Sequence, residues 1–221
     1  MDIEKTRFLM VEQQIRTWEV LDSAVLDLLF AVKREDFVPP AYRSLAFVDM
    51  EIPLGHSQAM MTPKLEARIV QEVAAKAGDS VLEIGTGSGY LAALLAKQAA
   101  HVTSLEYYAD LSRAAAARLA QANIANVLLK CGDAAKNLAG LIGNDARFDV
   151  IVLSASVPVL PPGLLNHLNV GGRLFAVVGD APAMKATVFT KTDDIACQPN
   201  EIFETVLTPL INATQPSRFT F

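Results

Sequence analysis

The chain has 221 residues, of which 52% are hydrophobic and 19% are charged, so it can bury a sizeable core and is not disordered as a whole. Its length predicts a single domain over residues 1–221. The formal net charge is −5 and no basic run occurs, which argues against a protein that grips nucleic acid phosphates or an anionic membrane surface.

The first residues and the cysteines indicate a cytoplasmic protein. Residues 1–5 are acidic and then mixed in charge, without the apolar stretch of a signal peptide. The longest charge-free stretch, residues 150–172, is interrupted by prolines and is therefore not a membrane span. Cys131 and Cys197 have neither metal-ligand spacing nor a disulfide framework, so we expect reduced thiols and no metal site.

The N-terminal part of the chain predicts two helices. Apolar residues of the first helix recur at steps of three and four, at Phe8, Val11, Ile15 and Trp18. A second apolar stripe runs over residues 21–32, and we expect Pro39 and Pro40 to end that helix.

An irregular segment and a third helix follow. Residues 44–62 are punctuated by Asp, Pro, Gly and Ser, which predicts a loop without regular structure. Thr62 and Pro63 then have the pattern of a helix N-cap followed by proline at the first helical position, and the helix should stop near residue 78. Residues 1–78 are therefore expected to form a helical N-terminal extension that includes a loop.

From residue 79 to residue 221, strands alternate with helices. The predicted strands cover residues 80–84, 101–106, 127–130, 148–153 and 173–178, and the predicted helices cover residues 90–99, 111–122 and 164–168. Residues 184–190 and 202–207 alternate polar and apolar side chains, which is typical of a closing antiparallel pair. This order predicts an α/β fold with a doubly wound, Rossmann-like parallel sheet.

The strongest local signal is a glycine turn between the first of these strands and the next helix. Gly85, Gly87 and Gly89 alternate with Thr86 and Ser88. Glycines let the backbone approach a ligand closely, and the free N–H groups at the helix start favour polar ligand atoms. The spacing differs from the dinucleotide-binding pattern G-x-G-x-x-G, and a plain tight turn is the alternative.

Acidic residues near this turn predict which ligand it binds. Glu83 lies in the strand before the glycines, where a carboxylate would repel a pyrophosphate and suit an amine. Glu106 ends the second strand, where an acid accepts hydrogen bonds from ribose hydroxyls. Asp133, followed by Ala134, comes after the third strand and could accept from an adenine amino group. Together they predict S-adenosylmethionine; a solvated strand end for Glu106 and an ordinary turn acid for Asp133 are the alternatives.

These residues carry a resemblance to a known family. Residues 81–90 resemble the cofactor motif of the protein-L-isoaspartate O-methyltransferase family. Further short stretches resemble the family and occur in the same order along the chain, at residues 10–15, 37–39, 53–55, 148–152, 161–162 and 171–174. The resemblance implies a methyltransferase fold, S-adenosylmethionine as cofactor, and methyl transfer to the α-carboxylate of L-isoaspartyl residues in damaged proteins. The implied partner is a peptide or protein carboxylate, and the implied role is protein repair.

One stretch departs from the family pattern. Where the family usually reads Gly-x-Gly-Gln-Thr-Ile-Ser-x-Pro, residues 55–63 conserve the glutamine and the proline, as Gln58 and Pro63, but Ala59 stands in the place of the threonine. Met61 occupies the position of the serine that is usually assigned to the active site. Gln58, Ala59 and Met60 are therefore the expected acceptor loop.

Met61 and Thr62 are the candidate catalytic positions. A carboxylate acceptor is already ionised at neutral pH and needs no general base, so the missing hydroxyl would have positioned the acceptor. Losing one such hydrogen bond costs about 1–3 kcal/mol. Thr62 carries a hydroxyl one residue later, but as an N-cap that hydroxyl should already be occupied.

Three functions therefore remain open. The first is an isoaspartyl methyltransferase that acts on a carboxylate, the second is a methyltransferase of the same fold with another acceptor such as a small molecule, and the third is a non-catalytic S-adenosylmethionine-binding protein.

His56 next to Ser57 could form a base–nucleophile pair, but adjacent side chains seldom face each other, so a loop histidine is the preferred interpretation.

Overall fold

The computed structural model of the protein describes residues 2–216. Its first helix, α1 (Ile3–Met10), begins where the Asp2 side chain accepts a hydrogen bond from the backbone N–H of Lys5. The helix continues through a π-helical turn and a 3₁₀ turn, and the run ends where Glu19 adopts a left-handed backbone conformation. The helical periodicity predicted for residues 8–18 is therefore present, although it passes through three hydrogen-bond patterns.

The second helix, α2 (Ser23–Ala31), ends earlier than expected. The prediction that Pro39 and Pro40 end it was wrong, because Val32 is already extended and buried. The chain then passes through a 3₁₀ turn that places the side chain of Arg34 in the protein interior. The helix stops because the side chains after Ala31 have buried partners that a continuous helix would not reach.

The segment predicted to be irregular contains a β-hairpin. Strands β1 (Ile52–Gly55) and β2 (Gln58–Met60) pair antiparallel. The two residues between them, His56 and Ser57, both have positive φ, at 52° and 57°, as a tight two-residue hairpin turn requires. His-Ser is not one of the usual turn dipeptides, so the sequence did not indicate the hairpin.

Helix α3 (Pro63–Val73) follows, with Thr62 at the N-cap position and Pro63 in the first turn as expected. The expectation that the Thr62 hydroxyl caps the helix was wrong, because within residues 2–216 that side chain makes no capping hydrogen bond. The proline at the start of the helix already removes one unsatisfied N–H group, which lowers the need for a side-chain cap.

A seven-stranded sheet forms the centre of the molecule. Its strands are β3 (Ser80–Ile84), β4 (His101–Glu106), β5 (Val127–Cys131), β6 (Phe148–Val157), β7 (Leu168–Asp180), β8 (Ala183–Lys191) and β9 (Cys197–Glu204). Their order is β5-β4-β3-β6-β7-β8-β9; the first five are parallel, and β8 and β9 are antiparallel. The predicted α/β doubly wound fold is confirmed, although the last strand begins and ends earlier than the predicted residues 202–207.

Three helices connect the parallel strands: α4 (Tyr90–Gln98), α5 (Ala109–Gln121) and α6 (Ala134–Ile142). The sequence indicated α4 and α5 but not α6. Asn137 has non-helical backbone angles inside α6, so the helix is kinked there. Residues 164–168, predicted as a short helix, form a 3₁₀ turn at Leu164–His167. Among the described residues, no helix has the length and apolarity needed to cross a membrane.

The N-terminal extension packs on one face of the sheet. Its buried side chains, such as Met10, Ile15 and Phe37, belong to the same apolar cluster as Leu94 of α4 and Val177 of β7. A separate apolar cluster covers the opposite face. The extension therefore shares its core with the α/β part of the chain.

Two buried ion pairs lie within this interface. Arg34 pairs with Glu66 of α3, and Arg7 of α1 pairs with Glu35. The Arg34 guanidinium also donates to the carbonyl oxygens of Ala46, at 2.9 Å, and Met61, at 2.7 Å. Burial lowers the pKa of Arg34 to about 10, so it stays protonated at neutral pH. This cation therefore fixes the backbone just after the hairpin.

Replacing Glu66 by Gln should destabilise the protein strongly. It leaves the buried charge of Arg34 without its counter-ion, and breaking a buried pair in this way typically costs about 3–5 kcal/mol. Glu12→Gln is the matched control, because Glu12 pairs with Arg16 in the same extension while both side chains stay in contact with solvent, and exposed pairs are worth at most about 1 kcal/mol. Urea unfolding followed by circular dichroism measures both, and equal losses would contradict the prediction.

Candidate active site

A cleft lies at the carboxyl ends of the parallel strands, where the chain order of the sheet reverses. Strands β3, β4 and β5 follow one another in one direction, whereas β6 lies on the other side of β3. Ligands of open α/β sheets bind at such a switch point. The large cleft, as we call it, holds about 600 Å³ of space including its open mouth. The predicted site residues that line it are Gln58, Ala59, Gly85, Gly87, Glu106, Asp133 and Ala134.

The glycine turn has a backbone that other residues would rarely adopt. Gly85, Gly87 and Gly89 have φ values of 107°, 54° and 87°, all in the left-handed region. A Cβ atom on Gly85 would come within 3.2 Å of the Cβ atom of Ser154, and one on Gly89 within 3.1 Å of that of Ala115 in α5. The first two glycines line the large cleft, whereas Gly89 allows α4 and α5 to approach each other.

Thr86 and Ser88 do not line the large cleft, and both are buried. The Thr86 hydroxyl shares a hydrogen bond with that of Ser104 on β4, and the Ser88 hydroxyl accepts from the backbone N–H of Tyr90 at 3.2 Å. Both residues therefore stabilise the turn, and both line the smaller space described below.

Glu106 joins the glycine turn to the end of β4. Its Oε2 accepts from the backbone N–H of Gly87 at 2.8 Å, and its Oε1 accepts from that of Tyr108 at 3.0 Å. The side chain is buried and lines the large cleft. Each carboxylate oxygen has a second lone pair, so Glu106 can accept two further hydrogen bonds from a ligand.

Asp133 has two protein partners. It caps α6 by accepting from the backbone N–H of Lys136 at 3.1 Å, and its Oδ2 accepts from the side-chain amide of Asn212 at 2.7 Å. The second bond holds the C-terminal segment, residues 209–211, against the cleft that it lines. The sequence analysis missed this segment, because contacts between residues so far apart leave no local pattern.

Glu83 is completely buried and faces a second, smaller space. Its Oε2 accepts from the hydroxyl of Ser104, whereas its Oε1 has no hydrogen-bond partner among the described residues. Burial raises the pKa of Glu83 to about 8; the Ser104 bond opposes this rise and the charge of Glu106 adds to it. Glu83 is therefore mostly protonated and uncharged at neutral pH, rather than the carboxylate that the sequence suggested.

This second space, the small cavity, lies behind the glycine turn. It encloses about 280 Å³, and its lining includes Met60, Met61, Glu66 and Glu83. Met60 and Met61 are buried. Thr62 lines neither the large cleft nor the small cavity. Of the two candidate catalytic positions, Met61 therefore lines the small cavity, whereas the next residue, Thr62, lines neither space.

The hairpin is held over the cleft by His56. Its Nε2 lies 2.9 Å from Oδ2 of Asp110 at the start of α5, and its ring stacks on Tyr108 with the ring centres 4.0 Å apart. The hydrogen bond from His56 lowers the pKa of Asp110. The nucleophile pair considered for His56 and Ser57 is not formed, and His56 instead joins the hairpin to the start of α5.

Sequence comparisons identify relatives over nearly the whole chain. The family described as protein-L-isoaspartate(D-aspartate) O-methyltransferase matches residues 5–215. A protein-L-isoaspartate O-methyltransferase 1 from Rhodopseudomonas palustris is 38% identical over 205 residues, covering 91% of this chain and 81% of the relative. A protein-L-isoaspartate O-methyltransferase from Methylorubrum extorquens is 39% identical over 180 residues, covering 80% and 76%.

Structural comparisons identify the same architecture. One solved structure is that of a Plasmodium falciparum protein assigned as a protein-L-isoaspartate O-methyltransferase, in complex with S-adenosyl-L-homocysteine. It superimposes on this chain with a TM-score of 0.81 at 18% identity, covering 93% of this chain and 98% of the other. A second protein-L-isoaspartate O-methyltransferase superimposes with a TM-score of 0.77 at 24% identity, covering 94% and 65%. At these identities the likeness concerns the fold.

The buried, protonated Glu83 should make the free protein less stable as pH rises. The folded state keeps this proton up to a pKa of about 8, whereas the unfolded chain releases it near 4.5. Between these values the unfolded state binds fewer protons, so the free energy of unfolding should fall by about 1.4 kcal/mol per pH unit because of this group, on the order of 5 kcal/mol in all.

Glu83→Gln should remove that part of the pH dependence, because an amide keeps the donor and acceptor without ionising. The measurement is urea unfolding at pH 5, 6.5 and 8 on wild type and on Glu83→Gln. Glu12→Gln is the control, since Glu12 is partly exposed and pairs with Arg16 on one helical run. A wild-type slope that persists in Glu83→Gln would contradict the assignment.

Proposed function

This chain belongs to the protein-L-isoaspartate O-methyltransferase family, and we propose that it transfers the methyl group of S-adenosylmethionine to the α-carboxylate of L-isoaspartyl residues. The observation that carries the proposal is the large cleft, where the glycine turn and Glu106 stand opposite the hairpin. A ligand there would contact the turn on one side and the acceptor loop on the other. The family match over residues 5–215 supports this use of the cleft.

The residues of the cleft suit S-adenosylmethionine. A Cβ atom on Gly87 would come within 3.2 Å of the Leu54 side chain, so the turn keeps open a space that any other residue would narrow. Glu106 retains lone pairs for the ribose hydroxyls. Asp133 and Ala134 line the opposite end, where the adenine would lie. We expect Asp133 to contribute less than Glu106, because an adenine amino group can also donate to water or to a backbone carbonyl.

The chemistry then requires alignment more than proton transfer. When bound, the cofactor supplies an electrophilic methyl group on its sulfonium. The acceptor carboxylate is ionised at neutral pH, so the protein needs no general base. The protein has to bring the carboxylate oxygen into line with the methyl group and to exclude water, and the hairpin held by His56 and Asp110 is suited to both.

The loop substitutions favour one alternative acceptor. Ala59 and the buried Met61 remove the hydroxyls that the family pattern has at these positions, and the cleft includes apolar residues such as Leu54 and Ile211. A methyltransferase of the same fold that acts on a small carboxylate molecule is therefore the second candidate.

We also place the protein in the cytoplasm, since Cys131 and Cys197 are both free thiols.

The proposed activity is tested with a peptide that contains one L-isoaspartyl residue and with S-adenosylmethionine labelled in its methyl group. We expect a base-labile methyl ester on this peptide and none on the same peptide with ordinary aspartate, because only the isomer presents an α-carboxylate at this position. Labelling of small carboxylates from a cell extract, without labelling of the isoaspartyl peptide, would favour the second candidate. Cofactor binding without any turnover would indicate a non-catalytic binding protein.

Glu106→Ala should weaken cofactor binding by at least about thirtyfold, which corresponds to roughly 2 kcal/mol. The variant removes the acceptors of two charge-assisted hydrogen bonds and also releases the N–H groups of Gly87 and Tyr108. Asp133→Ala should have a smaller effect, because water or a backbone carbonyl can accept from the adenine amino group.

Titration calorimetry with S-adenosylhomocysteine measures these affinities, with circular dichroism as the control for folding. Glu106→Gln is a matched variant that keeps the shape and one acceptor oxygen, and its loss should lie between those of wild type and Glu106→Ala. Wild-type affinity in a folded Glu106→Ala protein would show that Glu106 is only a strand-end residue.

A further inference from the structure

The acceptor site lacks the hydroxyl that the family pattern leads one to expect. Met61 is buried and offers no hydrogen-bond donor, and Ala59 has no polar side chain at all. Thr62 has a hydroxyl, but it borders neither the large cleft nor the small cavity. A carboxylate that approaches the cofactor must therefore find its donors elsewhere.

Cations do not fill this role. Among the described residues that line the large cleft or the small cavity, there is no lysine, arginine or histidine. The cleft is lined by two acids, Glu106 and Asp133. In the cavity, Glu66 is neutralised by Arg34 and Glu83 is mostly protonated. An incoming carboxylate would be repelled unless neutral donors hold it close to the methyl group.

Ser154 is placed to supply such a donor. It lies in β6, and it is one of four residues that border both spaces, together with Ala59, Gly85 and Gly87. Its side chain thus stands between the glycine turn and the acceptor loop, and its Cβ atom lies where a Cβ on Gly85 would come within 3.2 Å. No other side-chain hydroxyl among the described residues borders both spaces.

The Ser154 hydroxyl is buried and has no hydrogen-bond partner within residues 2–216. An unsatisfied buried hydroxyl destabilises the free protein, and a ligand that accepts from it would remove this cost. The Oε1 atom of Glu83 is unpartnered as well and borders the same cavity. The two groups lie near each other, since the Ser154 hydroxyl acts to lower the pKa of Glu83 although the pair is outside hydrogen-bond geometry.

The state of this neighbour leaves the hydroxyl available to a ligand. Because Glu83 is mostly protonated at neutral pH, it offers Ser154 no charged acceptor. A ligand carboxylate would be the stronger acceptor. Gln58 of the acceptor loop lines the cleft from the other side with an amide that is only weakly engaged, 3.4 Å from the His56 carbonyl oxygen.

We propose that Ser154 binds the acceptor carboxylate by donating its hydroxyl to a carboxylate oxygen, and so takes the place of the serine that is Met61 in this chain. The inference rests on the proposed function and specifies which residue recognises its acceptor. No covalent bond to Ser154 is formed; the hydroxyl orients the oxygen that attacks the methyl group, and Gln58 supplies the second donor.

The test compares Ser154→Ala with wild type in steady-state assays on the isoaspartyl peptide. We expect kcat/KM for the peptide to fall about tenfold to a hundredfold, as for loss of a hydrogen bond to a charged group. The affinity for S-adenosylhomocysteine should change less than twofold. Urea unfolding should show Ser154→Ala to be no less stable than wild type, because the removed hydroxyl has no protein partner.

Three further variants make the result specific. Ser154→Thr keeps a hydroxyl and should restore most of the activity. Thr62→Val removes the rival hydroxyl and should lower kcat/KM less than Ser154→Ala does. Ser23→Ala removes an exposed hydroxyl in α2 and is the control for the substitution itself. Titration of the isoaspartyl peptide into the protein saturated with S-adenosylhomocysteine should show weaker binding to Ser154→Ala than to wild type.

The outcomes separate the two claims. An active wild type whose Ser154→Ala variant keeps its kcat/KM, or loses it in parallel with cofactor affinity, overturns the role of Ser154 and leaves the proposed function standing. Loss of activity in Thr62→Val with retention in Ser154→Ala would assign the role to Thr62. A wild type that neither binds nor methylates the isoaspartyl peptide overturns the proposed function and this role with it.

Discussion

The carboxylate of Glu106 connects the parts of the site. One oxygen accepts from Gly87 in the glycine turn and the other from Tyr108 before α5. The ring of Tyr108 in turn stacks on His56 at the tip of the hairpin. A single acid at the end of one strand therefore positions the turn on one side of the cleft and, through Tyr108, the acceptor loop on the other.

The other end of the hairpin is fixed by the buried charges of the N-terminal extension. Arg34 donates to the carbonyl oxygen of Met61 while it pairs with Glu66, so the backbone beneath the acceptor loop is held by a cation that has no contact with solvent. An ion pair of this kind adds little net stability, because desolvation offsets most of the attraction, but it is very sensitive to loss of either partner. This arrangement is better suited to defining the loop's position than to stabilising the fold.

Prediction from sequence succeeded where the signal was local. The glycine turn, the parallel strands and helices α4 and α5 follow from periodicity and from turn residues. Glu106 and Asp133, expected near the ligand from their places at strand ends, do line the cleft, whereas their roles stay predictions. Prediction failed at the hairpin, where His56 and Ser57 adopt positive φ without being usual turn residues, and at α6, which is kinked at Asn137. The hydroxyl of Thr62 was assigned a capping bond that the proline at the start of α3 makes less necessary.

The sequence by itself determined the fold class, the family and the order of the elements that meet at the cleft, because those depend on patterns within a few residues of each other. Only the tertiary structure decided that Glu83 is buried near Ser154, that the side-chain amide of Asn212 donates to Asp133, and that Met61 lines the small cavity. These contacts join strands, loops and helices that are far apart in the chain. Burial and desolvation arise only when such segments pack together, and they set the protonation and the free hydrogen-bonding capacity of a site.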